Sequence, residues 1–344
     1  MGLAMPTLQS ALHGGPDALG AVRFDFSTNA NACGPCPQAL HAVQSANSAH
    51  YPDPAYTQLR AQLAQLHGVA PARVLLAASA SEFIFRTTAW AVQQGFTAAL
   101  VPAHSYGDYA RAAQALGLEL TVQTGQEVQE GQASANTLAW ACDPSSPLGQ
   151  AFHGIGALLS SGATVVLDRA YAPLRLHGAP GSSVQQQDPN LCQDQVWQLW
   201  TPNKALGMTG VRAAYAIAPA HAAVQCAQLE ALCPSWPVGA HGVAMLTAWV
   251  QPEVQQWLTD SLDTLRTWKA RQLVLCAALG WTCLPSEANF FCVQALQPLP
   301  AHALRARGIK LRDGTSFGLP QLWRLSVQPP AAQDALALAI KELA

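Results

Sequence analysis

The sequence predicts an α/β protein, a mainly parallel sheet flanked by helices with a smaller α+β domain beside it, on three observations. Short, continuously apolar runs alternate with helical stretches up to about residue 217, the pattern of strands buried on both faces. From about residue 240 the pattern changes to long helices and then to strands of a second, smaller sheet. The chain has 344 residues, enough for a large core and a companion domain.

Residues 55–67, "AYTQLRAQLAQLH", carry apolar side chains three and four apart and predict an amphipathic helix. Strands follow at "VLLAA" from 74, "AALVP" from 98, "LELTVQ" from 118, "TLAWAC" from 137, "ATVVLD" from 163, "VWQLW" from 196 and "AAYAIA" from 213. Helices are expected between them at 81–94, 106–116 and 151–160. Residues 240–280 predict one or two long helices; "NFFCVQAL", "GIKLRD" and "LWRLSVQ" predict strands, and "AAQDALALAIKEL" a closing helix. No internal repeat is present, and low complexity is confined to a Gln/Ser-rich loop near 181–190. The organisation expected is a large domain over 46–235 and a small domain formed by both ends, 1–45 and 236–344.

A formal net charge of −2, without a basic run interleaved with aromatics, argues against nucleic-acid binding. The first residues show no basic segment followed by an apolar stretch, and no apolar run approaches the roughly 20 residues of a membrane span. Nine cysteines, odd in number and mostly scattered, suit a reducing cytoplasm. "CGPC" at 33–36 has the spacing of a redox pair, but no strand precedes it and Gly-Pro also suits a plain turn; no second pair suggests zinc, and no metal is expected.

In parallel α/β sheets ligands sit beyond the carboxyl ends of the strands. After "VLLAA" come Ser79, Ala80 and Ser81, small residues opening a helix whose free N–H groups can cradle a phosphate. After "AALVP" comes His104, and after "ATVVL" come Asp168 and Tyr171. After "VWQLW" come Thr201, Lys204 and Arg212; Lys204 is one of four lysines in the chain. Alone, an Asp after a strand is commonly a helix cap and a Lys there is commonly solvated. Together, an acid, a lysine and a phosphate cradle are what an aldehyde cofactor bearing a phosphate needs: the lysine forms a Schiff base once partly deprotonated, and Arg212 can supply the neighbouring charge while gripping phosphate.

On these residues the chain resembles the fold-type I pyridoxal-phosphate enzymes, in the branch of histidinol-phosphate aminotransferases and threonine-phosphate decarboxylases. "TPNKALGMTGVRAAY" is similar to that family's Ser/Thr-x-Ser-Lys segment, which implies Lys204 as the Schiff-base lysine and Thr201 and Arg212 as phosphate ligands. "VVLDRAYAPL" resembles the Asp-Glu-Ala-Tyr segment, implying that Asp168 pairs with the pyridine nitrogen and Tyr171 with the ring hydroxyl; an ionised carboxylate there keeps the nitrogen protonated and the ring an electron sink. "YPDPAYTQLRAQLA" resembles a segment whose tyrosine, here Tyr51, reaches the neighbouring subunit's cofactor phosphate, implying a homodimer. The resemblance also places His104 over the cofactor ring, and Ser146 of "DPSSPLG" at an asparagine position facing cofactor and substrate. The fold it implies is the aspartate-aminotransferase-like PLP-transferase fold.

The opening "HGG" followed by "FDFSTNANACGP" looks like that of threonine-phosphate decarboxylases and their cobalamin-pathway relatives, implying substrate contacts at His13, Gly14 and Asn29. "GIKLRDGTSFGLPQLWRLSV" aligns with a pair of substrate arginines, Arg312 and Arg324, and two arginines suit a substrate with carboxylate and phosphate. The expectation is a decarboxylase of L-threonine O-3-phosphate. The alternatives are an aminotransferase of the histidinol-phosphate type, needing a 2-oxo acid, and a catalytically silent PLP-binding protein. The last is motivated by departures from the family pattern: Ser146, Asn203 before the lysine, Arg169 in place of a glutamate, and Ser79 in place of a glycine.

Overall fold

The computed structural model describes residues 14–123, 131–176 and 194–343. His13 and the Gln/Ser-rich loop lie outside the described residues. In chain order the elements begin with β1 (Phe24–Asp25), α1 (Pro37–Gln44), α2 (Thr57–His67), β2 (Val74–Ala77), α3 (Ala80–Gln93), β3 (Ala98–Pro102), α4 (Gly107–Ala115) and β4 (Glu119–Gln123). They continue with β5 (Thr137–Cys142), α5 (Ile155–Ser160), β6 (Thr164–Asp168), β7 (Trp197–Trp200), β8 (Ala214–Ile217), α6 (Ala223–Ala231), α7 (Ala240–Trp249) and α8 (Pro252–Ala278). The last part holds β9 (Thr282–Cys283), β10 (Phe290–Gln294), α9 (Ala301–Ala306), β11 (Ile309–Lys310), β12 (Arg312–Asp313), β13 (Leu322–Ser326) and α10 (Pro330–Leu343).

The large sheet has seven strands in the order β2-β8-β7-β6-β5-β3-β4. Only β8 runs against its neighbours, so the other six carboxyl ends lie along one edge. Every residue of β2, β5, β7 and β8 is buried, which is why these strands read as unbroken apolar runs rather than as alternation. Helices cover the faces by apolar stripes: α3 buries Phe83, Ile84, Thr87, Trp90 and Ala91, three and four apart. Its first turn is fixed by Ser79, whose hydroxyl accepts the Glu82 N–H at 3.1 Å.

The smaller sheet, β12-β13-β10-β9, is antiparallel, and β1 pairs separately with β11. The stretch from β1 to residue 26 is stitched between the two: Phe26 N–H donates to the Lys310 carbonyl at 2.9 Å, and Ser326 N–H donates to the Phe26 carbonyl at 2.9 Å. One apolar cluster, containing Phe26, Tyr171, Trp200, Leu206, Phe290 and Leu325, runs continuously from the large sheet to the small.

Two elements differ from the sequence expectation, and a third, left open between one helix and two, is resolved as two. The helix expected over 151–160 starts only at Ile155, because Phe152 N–H turns to the Asp143 carboxylate at 3.2 Å and Ser145 N–H to the Gln150 carbonyl at 2.8 Å. The 240–280 region divides at Pro252, which opens α8 at a position where no N–H is needed. "GIKLRD" is split between two sheets: Ile309–Lys310 pairs with β1, and Arg312–Asp313 pairs with β13. No described helix is long and apolar enough to cross a membrane.

His67, at the end of α2, packs between Trp200 and Tyr215 of the sheet, and its Nε2 lies 2.8 Å from the Tyr215 hydroxyl. Trp249 Nε1–H donates to that same hydroxyl at 3.2 Å, leaving the phenol hydrogen for a neutral imidazole. Burial, and then the charge of Arg169, push His67 down to about 4 from 6.5. The neutral form is therefore favoured by folding, so this contribution is complete above pH 6.5 and is lost as pH falls toward 4. Urea unfolding at pH 7 and pH 4.5 should show a His67→Gln variant losing roughly 2 kcal/mol less stability on acidification than the unsubstituted protein. Equal losses would remove His67 as a source of acid sensitivity.

Candidate active site

The carboxyl edge of the large sheet gathers the residues singled out from the sequence. Asp168 ends β6 with its side chain 4% exposed. Tyr109 donates its hydroxyl to Oδ2 at 2.6 Å, and Ala170 N–H donates to Oδ1 at 2.8 Å. Burial pushes the Asp168 carboxyl above its ordinary value; the Tyr109 hydrogen bond, the Lys204 charge and the Ala170 N–H all oppose it. Tyr109 is itself held by stacking on Trp140, with centroids 4.8 Å apart and planes 8° from parallel. Sequence reasoning passed over Tyr109, which sits in the buried stripe of α4 with Ala112 and Ala113 and reads there as core.

Lys204 lies in the loop after β7, with Nζ 3.4 Å from Thr201 Oγ1 and 5.3 Å from the centroid of the Tyr171 ring. The loop's backbone is gripped by the N-terminal segment. Asn31 N–H donates to the Lys204 carbonyl at 2.9 Å, Asn31 Nδ2 to the Ala205 carbonyl at 3.1 Å, and Cys36 N–H to the Leu206 carbonyl at 2.9 Å. Gly207 has φ +67°, and a Cβ there would lie 2.5 Å from the Gly34 carbonyl oxygen, so only glycine permits this contact. "CGPC" is thus the turn that presses on the lysine loop. Burial pushes the Cys33 thiol up to about 11 and raises Cys36 as well, the opposite of what a reactive pair requires.

On the adjoining side, Ser79 caps α3, Ala80 begins it, and the Ser81 hydroxyl lies 2.9 Å from that of Tyr106. Tyr106 meets Tyr109 edge-on at 5.9 Å, and the Arg212 charge acts on its phenol. Arg212 itself is exposed. Tyr106 is the aromatic ring that the structure groups with Ser81 and Tyr109. His104, placed over the cofactor ring by resemblance, has its Nδ1 2.7 Å from the Phe317 carbonyl oxygen. Tyr51 is 78% exposed and stacks on Trp236 at 4.5 Å; the structure groups it with that ring rather than with the residues around Lys204.

The remaining wall comes from the chain ends. Asn29 is buried; its Nδ2 lies 3.4 Å from the Tyr171 hydroxyl, while its Oδ1 has no hydrogen-bond partner. Arg312 and Arg324 are register partners across β12 and β13, and both are buried. Arg324 donates to the Ser27 carbonyl at 2.7 Å, and its Nε is buried without a partner. Arg312 donates to Ser316 Oγ at 2.6 Å. Burial, and then the neighbouring Arg324 charge, push Arg312 down to about 10. The Phe290 ring, 5.7 Å from the Arg324 guanidinium, meets Tyr171 edge-on at 4.8 Å and so links the arginines to the residues around Lys204. Gly14 packs against the Ser27 carbonyl so closely that a Cβ would lie 2.0 Å from its oxygen.

The departures from the family pattern have local partners. Arg169 turns away from Asp168 to Asp143 at 3.1 Å, and Arg175 holds the same carboxylate at 2.7 Å. These two bonds anchor the start of the loop that carries buried Ser146. Asn203 donates from Nδ2 to the Val211 carbonyl at 3.3 Å, leaving Oδ1 buried and without a partner.

The sequence model of the family described as aminotransferase class I and II matches residues 22–340. A histidinol-phosphate aminotransferase of Symbiobacterium thermophilum is 26% identical over 336 residues, covering 92% of this chain and 89% of that protein. Another, of Rhodospirillum centenum, is 27% identical over 352 residues, covering 95% of this chain and 93% of that protein. The histidinol-phosphate aminotransferase of Sinorhizobium meliloti, solved with pyridoxal-5'-phosphate, superposes with a TM-score of 0.77 at 21% identity, covering 99% of each chain. The L-threonine-O-3-phosphate decarboxylase of Porphyromonas gingivalis superposes with a TM-score of 0.69 at 21% identity, over 88% of this chain and 92% of that one. The chain therefore belongs to the class I and II aminotransferases, pyridoxal-phosphate enzymes of fold type I.

Proposed function

We propose that the protein is a pyridoxal-phosphate-dependent aminotransferase of the histidinol-phosphate type, moving an amino group between a phosphorylated amine or amino acid and a 2-oxo acid. The buried Arg312–Arg324 register pair carries the anionic part of this reading, because two adjacent, largely desolvated guanidiniums favour an anion. The names of the curated relatives support it over the decarboxylation of L-threonine O-3-phosphate expected from the sequence. That second reading retains one observation in its favour, the "FDFSTNANACGP" opening, whose Asp25 carboxylate accepts the Ser27 and Thr28 hydroxyls at 2.5 and 2.7 Å.

The residues present fit the cofactor: a buried acid with charge-stabilising donors, a lysine beside the Thr201 hydroxyl, and a helix that opens on small residues at α3. When bound, pyridoxal 5'-phosphate supplies an aldehyde for the substrate amine and a protonated ring that withdraws electrons from the α-carbon. Asp168 would pair with the ring nitrogen and Tyr171 with the ring hydroxyl. Ser79, Ala80, Ser81, Thr201 and Arg212 would hold the phosphate, and Tyr106 would cover the ring face. Lys204 would carry the cofactor, and its amine would move the proton at the substrate α-carbon. Arg312, Arg324, Asn29 and Gly14 would orient the substrate's anionic end, with Ser146 between substrate and ring. Exposed Tyr51 would serve the site of a second subunit in a homodimer.

Mass spectrometry should detect amino transfer from L-histidinol phosphate to 2-oxoglutarate, and none with Lys204→Ala, which also loses the cofactor's visible absorbance. Carbon dioxide and aminopropanol phosphate from L-threonine phosphate without any oxo acid would establish the decarboxylase instead, and neither product would favour a silent protein. Tyr109→Phe keeps the stack on Trp140 but removes the donor to Asp168. It should lower kcat and cofactor affinity by about tenfold each, the effect of one hydrogen bond to a charged group, and unchanged values would remove Tyr109 from the site. Mixing two inactive variants, Tyr51→Ala and Lys204→Ala, should restore about a quarter of full activity, since half the dimers are hybrid and each hybrid has one complete site. Absence of complementation would confine Tyr51 to its own chain.

A further inference from the structure

The reading proposed above gives the ring face to Tyr106 and leaves His104 without a part in it. It follows β3 at the carboxyl edge of the large sheet, and its Nδ1 is 2.7 Å from the carbonyl oxygen of Phe317. A carbonyl can only accept, so Nδ1 carries the hydrogen and donates it. Phe317 belongs to the turn at Thr315–Phe317 that joins β12 to β13, the two strands bearing the arginines.

That turn sets its own shape. Gly314 N–H donates to the Leu322 carbonyl at 2.9 Å, Leu319 N–H to the Gly314 carbonyl at 3.1 Å, and Thr315 N–H to Asp313 Oδ1 at 2.6 Å. A Cβ at Gly314 would stand 2.5 Å from the Leu319 carbonyl oxygen, so the turn closes tightly on itself. The His104 bond ties this small-sheet turn to the large sheet.

The turn also supplies what keeps two like charges side by side. The Phe317 ring centroid is 4.9 Å from the Arg312 guanidinium carbon and 5.5 Å from that of Arg324, and Ser316 accepts from Arg312. One aromatic ring therefore serves both cations. Any shift of the turn relative to β3 moves that shared ring, and with it the two guanidiniums packed on it.

We propose that His104 is a positioning residue for the substrate-anion site: through the Phe317 carbonyl it fixes the Arg312–Arg324 pair against the large sheet, at the spacing that receives a carboxylate or phosphate monoester. This rests on the reading of those arginines as substrate ligands.

The test compares His104→Phe, which keeps a ring but cannot donate, with His104→Asn, whose Nδ2 can reach the same carbonyl. His104→Phe should raise KM for the phosphorylated substrate about tenfold while kcat stays within about twofold, and His104→Asn should recover most of that loss. Calorimetric titration of the cofactor-loaded protein, in which the cofactor's own phosphate cradle is filled, with inorganic phosphate should show the same weakening for His104→Phe. Cofactor affinity and visible absorbance should not change. An unaltered KM and phosphate affinity in His104→Phe would overturn the proposal. So would a loss of cofactor affinity, which would return His104 to the ring. Arg324→Ala, titrated in parallel, separates the two levels: if it binds phosphate normally, the arginine reading itself has failed.

Discussion

A carboxylate taken out of water at the end of a strand is the constraint around which the large sheet is arranged. Burying an ionised Asp costs several kcal/mol unless donors replace its hydration. Here the Tyr109 hydroxyl, the Ala170 N–H and the Lys204 charge do so. Each depends on a different element. Tyr109 comes from α4 and is kept flat by Trp140 of β5; Ala170 follows β6 directly; Lys204 comes from the loop after β7. The register that sets Cys142 of β5 beside Asp168 of β6 brings these parts into line. The local chemistry therefore rests on strand pairing rather than on one flexible loop.

The lysine loop depends on a second set of constraints, supplied from far away in the chain. Residues 29–36 lie across it, with three hydrogen bonds to the carbonyls of Lys204, Ala205 and Leu206. Asn31 Nδ2 also donates to Ser261 Oγ at 2.7 Å, extending the clasp to α8. Satisfied carbonyls and a glycine contact at Gly207 leave the loop few alternative shapes, so Lys204 Nζ is delivered from a fixed backbone.

Much of this was legible in the sequence, and the exceptions have physical reasons. Strands buried on both faces announce themselves as apolar runs, and "TLAWAC" is observed as β5 residue for residue. The acid and the lysine could be singled out because each is a charged residue standing just after such a run. Tyr109 could not, because an aromatic on a buried helix stripe looks the same whether its hydroxyl meets a carboxylate or nothing. The His104 contact was hidden for a related reason: its partner is a carbonyl in the C-terminal turn, more than two hundred positions away. "CGPC" carried a misleading signal, since spacing cannot report the burial that raises both thiols. The division of "GIKLRD" between two sheets depends on β1 and β13, which no local pattern in that segment encodes.

The buried acid stands on the large sheet and the arginine pair on the small one, joined through Tyr171 and Phe290. Changes at sites that share no partners combine almost additively, whereas neighbours within one network do not. Here Lys204, Tyr171, Phe290 and Arg324 form one chain of contacts, so changes around β12 and β13 should not combine additively with changes around Asp168. A substitution on the small sheet is felt at the buried acid through two aromatic rings.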